Sequence, residues 1–151
     1  MRRCSTERFE SFPPVFAAGA APAPLGPVVG AALLRAFSAA TVPRLTVVLR
    51  KAYGGAVITM NSKELGADMV FAWPGAEIGI MASTQAVGIV ERRRIAASDD
   101  DDLAGELARA YASEHLTADA AAASGFVDEV IEPGDTRETL AWALSSLEGS
   151  R

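Results

Sequence analysis

The chain has 151 residues, half of them apolar, with 19 acidic against 14 basic side chains and a net charge of −5. That balance describes a globular domain and counts against a nucleic-acid surface or a polybasic membrane patch, both of which rest on Lys and Arg. A single cysteine, Cys4, cannot form an intrachain disulfide, and with one histidine the chain is too poor for a His/Cys metal centre.

Residues 1–25 show no sustained period and read as a loosely ordered lead-in outside the domain proper, 26–151. A secretory leader beginning at Arg2 and Arg3 and cut near Ala23 is spoiled by Glu7, Glu10, Pro13 and Pro14. Pro22, Pro24, Gly26 and Pro27 interrupt any membrane span in the same region, so a soluble, cytoplasmic protein is the default. Gly26 as N-cap and Pro27 at the first position open a helix to about residue 40, with Leu33, Leu34 and Phe37 on one face and Pro43 closing it. Residues 45–49 form a β-branched run, the signature of a buried strand. Residues 50–55 read as a glycine turn, followed by a helix over 56–65 stopped by Gly66.

Strands follow at 69–73, ended by Pro74 and Gly75, and at 77–81. Ser83 or Thr84 caps a helix through 85–97, with Arg92, Arg93 and Arg94 late in it, where cations suit the helix dipole. Asp99 to Asp102 make an acidic linker whose last member caps a helix over 103–116. Thr117 caps a short alanine helix ended by Gly125, and 126–131 alternates as a strand that Pro133 breaks. Asp135 with Glu138 gives a box-like start to a last helix reaching about Leu147. Strands alternating with helices predict an α/β domain with a largely parallel sheet.

The informative unit is the strand, then Tyr53-Gly54-Gly55-Ala56, then a helix. A strand feeding a glycine turn and a helix start leaves backbone N–H groups free to bind an oxyanion or enolate, and glycine lets a substrate oxygen approach them. Many α/β proteins make the same turn for structural reasons alone, so the motif by itself is weak.

Around it the sequence resembles the C-terminal half of acyl-CoA carboxylase carboxyltransferase β-type subunits, the acetyl/propionyl-CoA carboxylase family. The resemblance is carried by TVPRLTVVLRKAYGGA at 41–56, MNSK at 60–63, LGAD at 65–68, FAWP at 71–74, AEI at 76–78 and Met81. It returns at 125–133, GFVDEVIEP, and at Thr136-Arg137. The resemblance implies a crotonase-like (ClpP/crotonase) ββα spiral, incomplete here at its N-terminal side. It also implies carboxyl transfer from carboxybiotin on a carrier protein to an acyl-CoA of acetyl or propionyl type. In that chemistry biotin brings the base, and the protein supplies position and oxyanion stabilisation.

By the same resemblance the backbone N–H groups of Gly55 and Ala56 face the biotin ureido oxygen, with Tyr53, Gly54 and Ile58 lining the binding site. Ile58 falls near the acyl pocket, where propionyl-type members often carry Asp, which leaves the acyl-chain preference open. Acyl-CoA, a biotin carrier protein, and further copies of the chain or a full-length subunit are the implied partners; no metal is. The family's acyl-CoA-binding domain and the opening strands of its C-terminal domain have no counterpart here. Ala82-Ser83-Thr84-Gln85 replaces the usual Gly-Ala-Lys-Gly, so the chain is expected to be inactive by itself.

Other readings are weaker. An enoyl-CoA hydratase or isomerase of the crotonase type needs two carboxylates as acid and base. Glu77 offers one, but Val57 and Ile58 are apolar where the other belongs, and Glu77 reads more simply as a carboxylate bonded to backbone or Arg. A Clp-like peptidase would need a serine at the helix start with a histidine nearby, and Ser62 lies too far on. His115 reads as a solvated partner of a helix C-terminus, and Asp99 to Asp102 lack the spacing of a calcium loop. Arg92 to Arg94 suit either CoA phosphates or an internal acidic partner. Trp73 and Trp142 read as core or interface aromatics, and Leu140, Leu144 and Leu147 as simple helix packing. A non-catalytic partner of a full-length carboxyltransferase oligomer is the remaining alternative.

Overall fold

A computed structural model of the chain describes residues 26–98, 100 and 102–148. The lead-in 1–25, two members of the acidic linker (Asp99 and Asp101) and residues 149–151 lie outside them. Helix α1 (Gly26–Ala39) precedes strands β1 (Leu45–Val48) and β2 (Lys51–Tyr53) and helix α2 (Gly54–Thr59). The same strand–strand–helix order recurs as β3 (Met69–Ala72), β4 (Glu77–Gly79) and α3 (Ser83–Val90). Then come α4 (Arg92–Ala96), α5 (Leu103–His115), α6 (Ala118–Ala123), β5 (Glu129–Val130) and α7 (Thr136–Glu148).

The first strand of each repeat enters one sheet and the second enters another. Strands β1, β3 and β5 form a parallel sheet in that order, with Leu45 opposite Met69 and Phe71 opposite Glu129. Strands β2 and β4 form a second parallel pair, with Tyr53 opposite Gly79. Parallel neighbours require a crossover, and in the first repeat β2 and α2 supply it.

Strand β3 lies between β1 and β5 and reads Met-Val-Phe-Ala without a polar residue, as a strand covered on both faces must. Alternation sends its side chains into two cores. Val70 and Ala72 pack with Ala67, Ala76, Val127 and the α6 residues Ala118 and Ala121. Phe71 packs with Ile131 and Ala143 beneath α7, with Leu45, Val47, Trp73 and Leu140 around them. The Trp73 indole N–H donates to Thr136 Oγ1 at 3.0 Å and pins α7 to the sheet. Trp142 and Leu144 on the same helix face solvent instead.

Several local expectations change. Residues 51–53 are a strand, not part of a turn, because Lys-Ala-Tyr pairs with Glu77–Gly79 far along the chain. Helix α2 therefore begins at Gly54 and ends at Thr59, short of Gly66. The chain reverses at Asn61 in the left-handed region, φ 65°, where Thr46 holds it: the Thr46 hydroxyl donates to the Asn61 carbonyl and accepts from its side-chain amide. The helix expected over 85–97 breaks at Glu91 into α3 and α4, so Arg92 to Arg94 open the second helix. Ala82, with no side-chain bond, is the N-cap of α3 in place of Ser83 or Thr84.

Asp102 stands at the N-cap of α5, but its backbone is already helical and its side chain makes no capping bond. Thr117 does cap α6, accepting from the Ala120 N–H at 3.1 Å. The closing strand shrinks to Glu129–Val130. In place of an Asp135–Glu138 box, α7 is led in by a 3-10 turn, Pro133–Asp135, and the Thr136 hydroxyl donates to the Pro133 carbonyl.

Candidate functional site

Tyr53 ends β2 in extended conformation, φ −123° and ψ 140°, and is the N-cap of α2. Gly54 takes φ +61°, where a Cβ would sit 3.1 Å from the backbone oxygen of Ile80. Only glycine makes this turn without strain. At Gly55 the situation is the reverse, with nothing within 4 Å of the place a Cβ would occupy. The first N–H groups of a helix have no acceptor inside it, and in α2 these include Gly54, Gly55 and Ala56. With only six residues α2 has a small macrodipole, so these groups act as local donors.

The donors open on a cleft of about 1060 Å³. The expected site residues Tyr53, Gly54, Gly55, Ala56 and Ile58 all line it. So do Leu49, Met60, Ile80, Ile89 and Phe126, large apolar side chains exposed to solvent, Ile80 at 84%. Gly55 and Ile58 are three residues apart on α2 and so share a helical face, which places Ile58 one turn below the donors.

Among the described residues the Glu77 carboxylate meets neither a backbone donor nor an arginine; it accepts the hydroxyl of Tyr53. The pair is diagonal across β2 and β4, within reach of a long aromatic side chain. Burial, then the hydrogen bond and the charge of Glu77, push the Tyr53 phenol up to about 12. A value raised in the folded state means stability that is complete below the ordinary phenol value of 10.0 and is lost as pH rises towards 12. Thermal melts from about pH 9 to 12 are expected to show that loss in the wild type and a smaller one in Tyr53→Phe.

The structure adds residues that the sequence reading did not single out. Arg44 ties α1 and the 60–66 turn to the start of β1. Its guanidinium donates to the carbonyls of Phe37 (2.8 Å), Leu65 (3.3 Å) and Gly66, and its backbone N–H donates to Asp68. Lys63 Nζ lies 2.5 and 2.6 Å from the Asp128 carboxylate, which also accepts the Val70 N–H at 2.8 Å. Lys63 and Asp128 both fall inside the matched segments, and that coincidence was the available signal.

His115, at the exposed C-terminal end of α5, lies on the cleft wall with its ring 4.7 Å from that of Tyr111 and its Nε2 3.8 Å from Glu114. Ser62 is buried and its hydroxyl accepts from Leu65 N–H at 3.4 Å. Among the described residues no group of three or more His, Cys, Asp or Glu could hold a metal, and no helix is long and apolar enough to cross a membrane.

The family model of the carboxyl transferase domain matches residues 28–150. The chain belongs to that family. It is 49% identical over 116 residues to the methylmalonyl-CoA carboxyltransferase 12S subunit of Propionibacterium freudenreichii subsp. shermanii, covering 76% of this chain and 22% of that protein. It is 51% identical over 123 residues to the propionyl-CoA carboxylase carboxyltransferase subunit of Haloferax mediterranei, covering 81% and 24%.

Among solved structures, transcarboxylase 12S with methylmalonyl-coenzyme A and methylmalonic acid bound is similar at a TM-score of 0.78 and 43% identity, over 87% of this chain and 26% of that one. The geranyl-CoA carboxylase β subunit of P. aeruginosa is similar at a TM-score of 0.62 and 28% identity, over 80% and 27%. The chain thus spans under a quarter of the length of these curated relatives. The family read from the motifs at 41–81 stands, and with it the α/β class. The match covers β2, α2 and the whole cleft wall described above.

Proposed function

We propose that this chain is the biotin-facing part of an acyl-CoA carboxyltransferase, built on a crotonase-like spiral of ββα units and working on acyl-CoA of acetyl or propionyl type. The observation that carries the reading is the pair of N–H donors on Gly55 and Ala56 at the head of α2, with open space above Gly55 and a cleft in front. Such donors suit the ureido oxygen of biotin, where negative charge develops as the carboxyl group leaves. Bound there, biotin on its carrier protein would supply both the carboxyl group and the base for the acyl α-proton.

The chain's residues then have defined tasks. Gly54 makes the turn, Gly55 and Ala56 donate, and Ile58 presents an apolar wall beside them. The apolar rim at Leu49, Met60, Ile80 and Phe126 fits an association with further copies of the chain or with a full-length subunit, as the resemblance implies. The hydratase reading gains nothing from Glu77, the carboxylate it would rely on: Glu77 is engaged by the Tyr53 hydroxyl and does not line the cleft.

The test is a titration with biocytin followed by 15N NMR of the chain, with carboxyl loss from methylmalonyl-CoA or malonyl-CoA expected only when a full-length subunit supplies the acyl-CoA-binding part. Biocytin is expected to shift the amides of Gly55 and Ala56. Gly55→Ala should leave stability unchanged or raise it by up to roughly 1 kcal/mol of helix propensity, while weakening biocytin binding at least tenfold. A chain whose α2 amides ignore biocytin does not have this function.

A further inference from the structure

The geometry points to Tyr53 and Glu77 as a positioning pair that aims the Gly55 and Ala56 donors; this rests on the carboxyltransferase reading for its purpose but not for its test. Helices shorter than about 12 residues do not hold themselves in water, and α2 has six, so its direction is set from outside. Its N-cap, Tyr53, makes no side-chain bond to the first turn. The Tyr53 phenol reaches instead across the two-stranded sheet to Glu77.

Glu77 is a fixed acceptor. Its backbone N–H donates to the Arg50 carbonyl at 2.6 Å, and it bridges to Thr117 at the start of α6. The next residue, Ile78, donates to the Leu116 carbonyl at 2.8 Å. Opposite Tyr53 stands Gly79, where a Cβ would lie 2.5 Å from the Leu116 side chain, so that part of β4 is closely packed. Tyr53 is thereby anchored twice, by strand pairing and by its hydroxyl.

The Gly55 and Ala56 donors follow within three residues of that anchor. Between anchor and donors Gly54 alone could swivel, and it holds a positive φ of 61° at a place where a side chain would crowd the Ile80 carbonyl. The hydroxyl bond therefore removes the remaining freedom at the point where strand becomes helix. Misplacing donors by even about 1 Å costs on the order of a hundredfold in a preorganised site.

The experiment takes the full chain with Tyr53→Phe, Glu77→Gln and Glu77→Ala, biocytin as probe, and 15N NMR with thermal melting as readouts. Y53F and E77A are expected to move or broaden the Gly55 and Ala56 amides before any ligand is added, and to weaken biocytin binding about tenfold. E77Q keeps an oxygen that accepts the hydroxyl, so it should stay within about threefold of wild type. A folded Y53F with wild-type amide positions overturns the pair, and so does an E77Q as impaired as E77A, because charge and not the bond would then matter. Should E77A fail to fold, Y53F against E77Q decides. A wild type that ignores biocytin defeats the carboxyltransferase reading alone, since the ligand-free amides still judge the pair.

Discussion

Gly54→Ala is expected to destabilise the chain by about 2–3 kcal/mol and to abolish biocytin binding. A side chain in the left-handed region costs roughly 1–2 kcal/mol, before any crowding. Crowding adds to this, because the new Cβ would stand 3.1 Å from the Ile80 carbonyl, a backbone atom that cannot swing aside. Relief requires the first turn of α2 to move, and that turn carries the donors. Circular dichroism melts and a biocytin titration check both effects. The contrast with Gly55→Ala, one residue on, is the sharp part: there the site should fail while the fold is untouched. Equal stability losses in the two variants would contradict the assignment of turn and donor.

Phe71→Ala is expected to remove more stability than any substitution in the cleft, about 3–5 kcal/mol, the usual loss for a fully buried phenylalanine. Phe71 is 1% exposed and sits where β3 meets α7, touching the cluster that includes Ile131 and Ala143. Domains of this size have about 5–15 kcal/mol in total. The melting temperature should therefore fall by roughly 10–20 °C. Val70 and Ala72 point to the other core, so α6 is expected to survive longer than α7 during unfolding of this variant. Hydrogen exchange resolved by helix measures that order.

Much of this was legible in residue order because its causes are local. Met69 to Ala72 announces a buried strand by its unbroken apolar run, and Thr117 announces its helix by capping it; the β-branched run at 45–49 does give a strand, but one that ends at Val48, is only half-buried and leaves Leu49 exposed. The turn at Gly54 was readable because a positive φ demands glycine and the turn is contiguous. Strand β2 was not, since Lys51-Ala52-Tyr53 has no strand pattern and exists only through pairing with β4. The break at Glu91 has the same origin: the Arg run continues a helical sequence, and packing of α3 on α5, not composition, decides where the axis changes. The bond from Tyr53 to Glu77 joins residues 24 apart in sequence and could not be seen without the register of the two strands.

Asp128 gathers Lys63 and the Val70 N–H from 65 and 58 residues upstream. Its place in the chain has a consequence for biosynthesis. While a ribosome is still making the segment up to α6, the middle strand of the three-stranded sheet has an open flank, and its Val70 N–H has no partner. Closing such distant contacts is slow, and unpaired apolar strands aggregate while they wait. The last quarter of the chain thus acts as a folding checkpoint, and a nascent chain released before Asp128 would present β3 to whatever edge it met first.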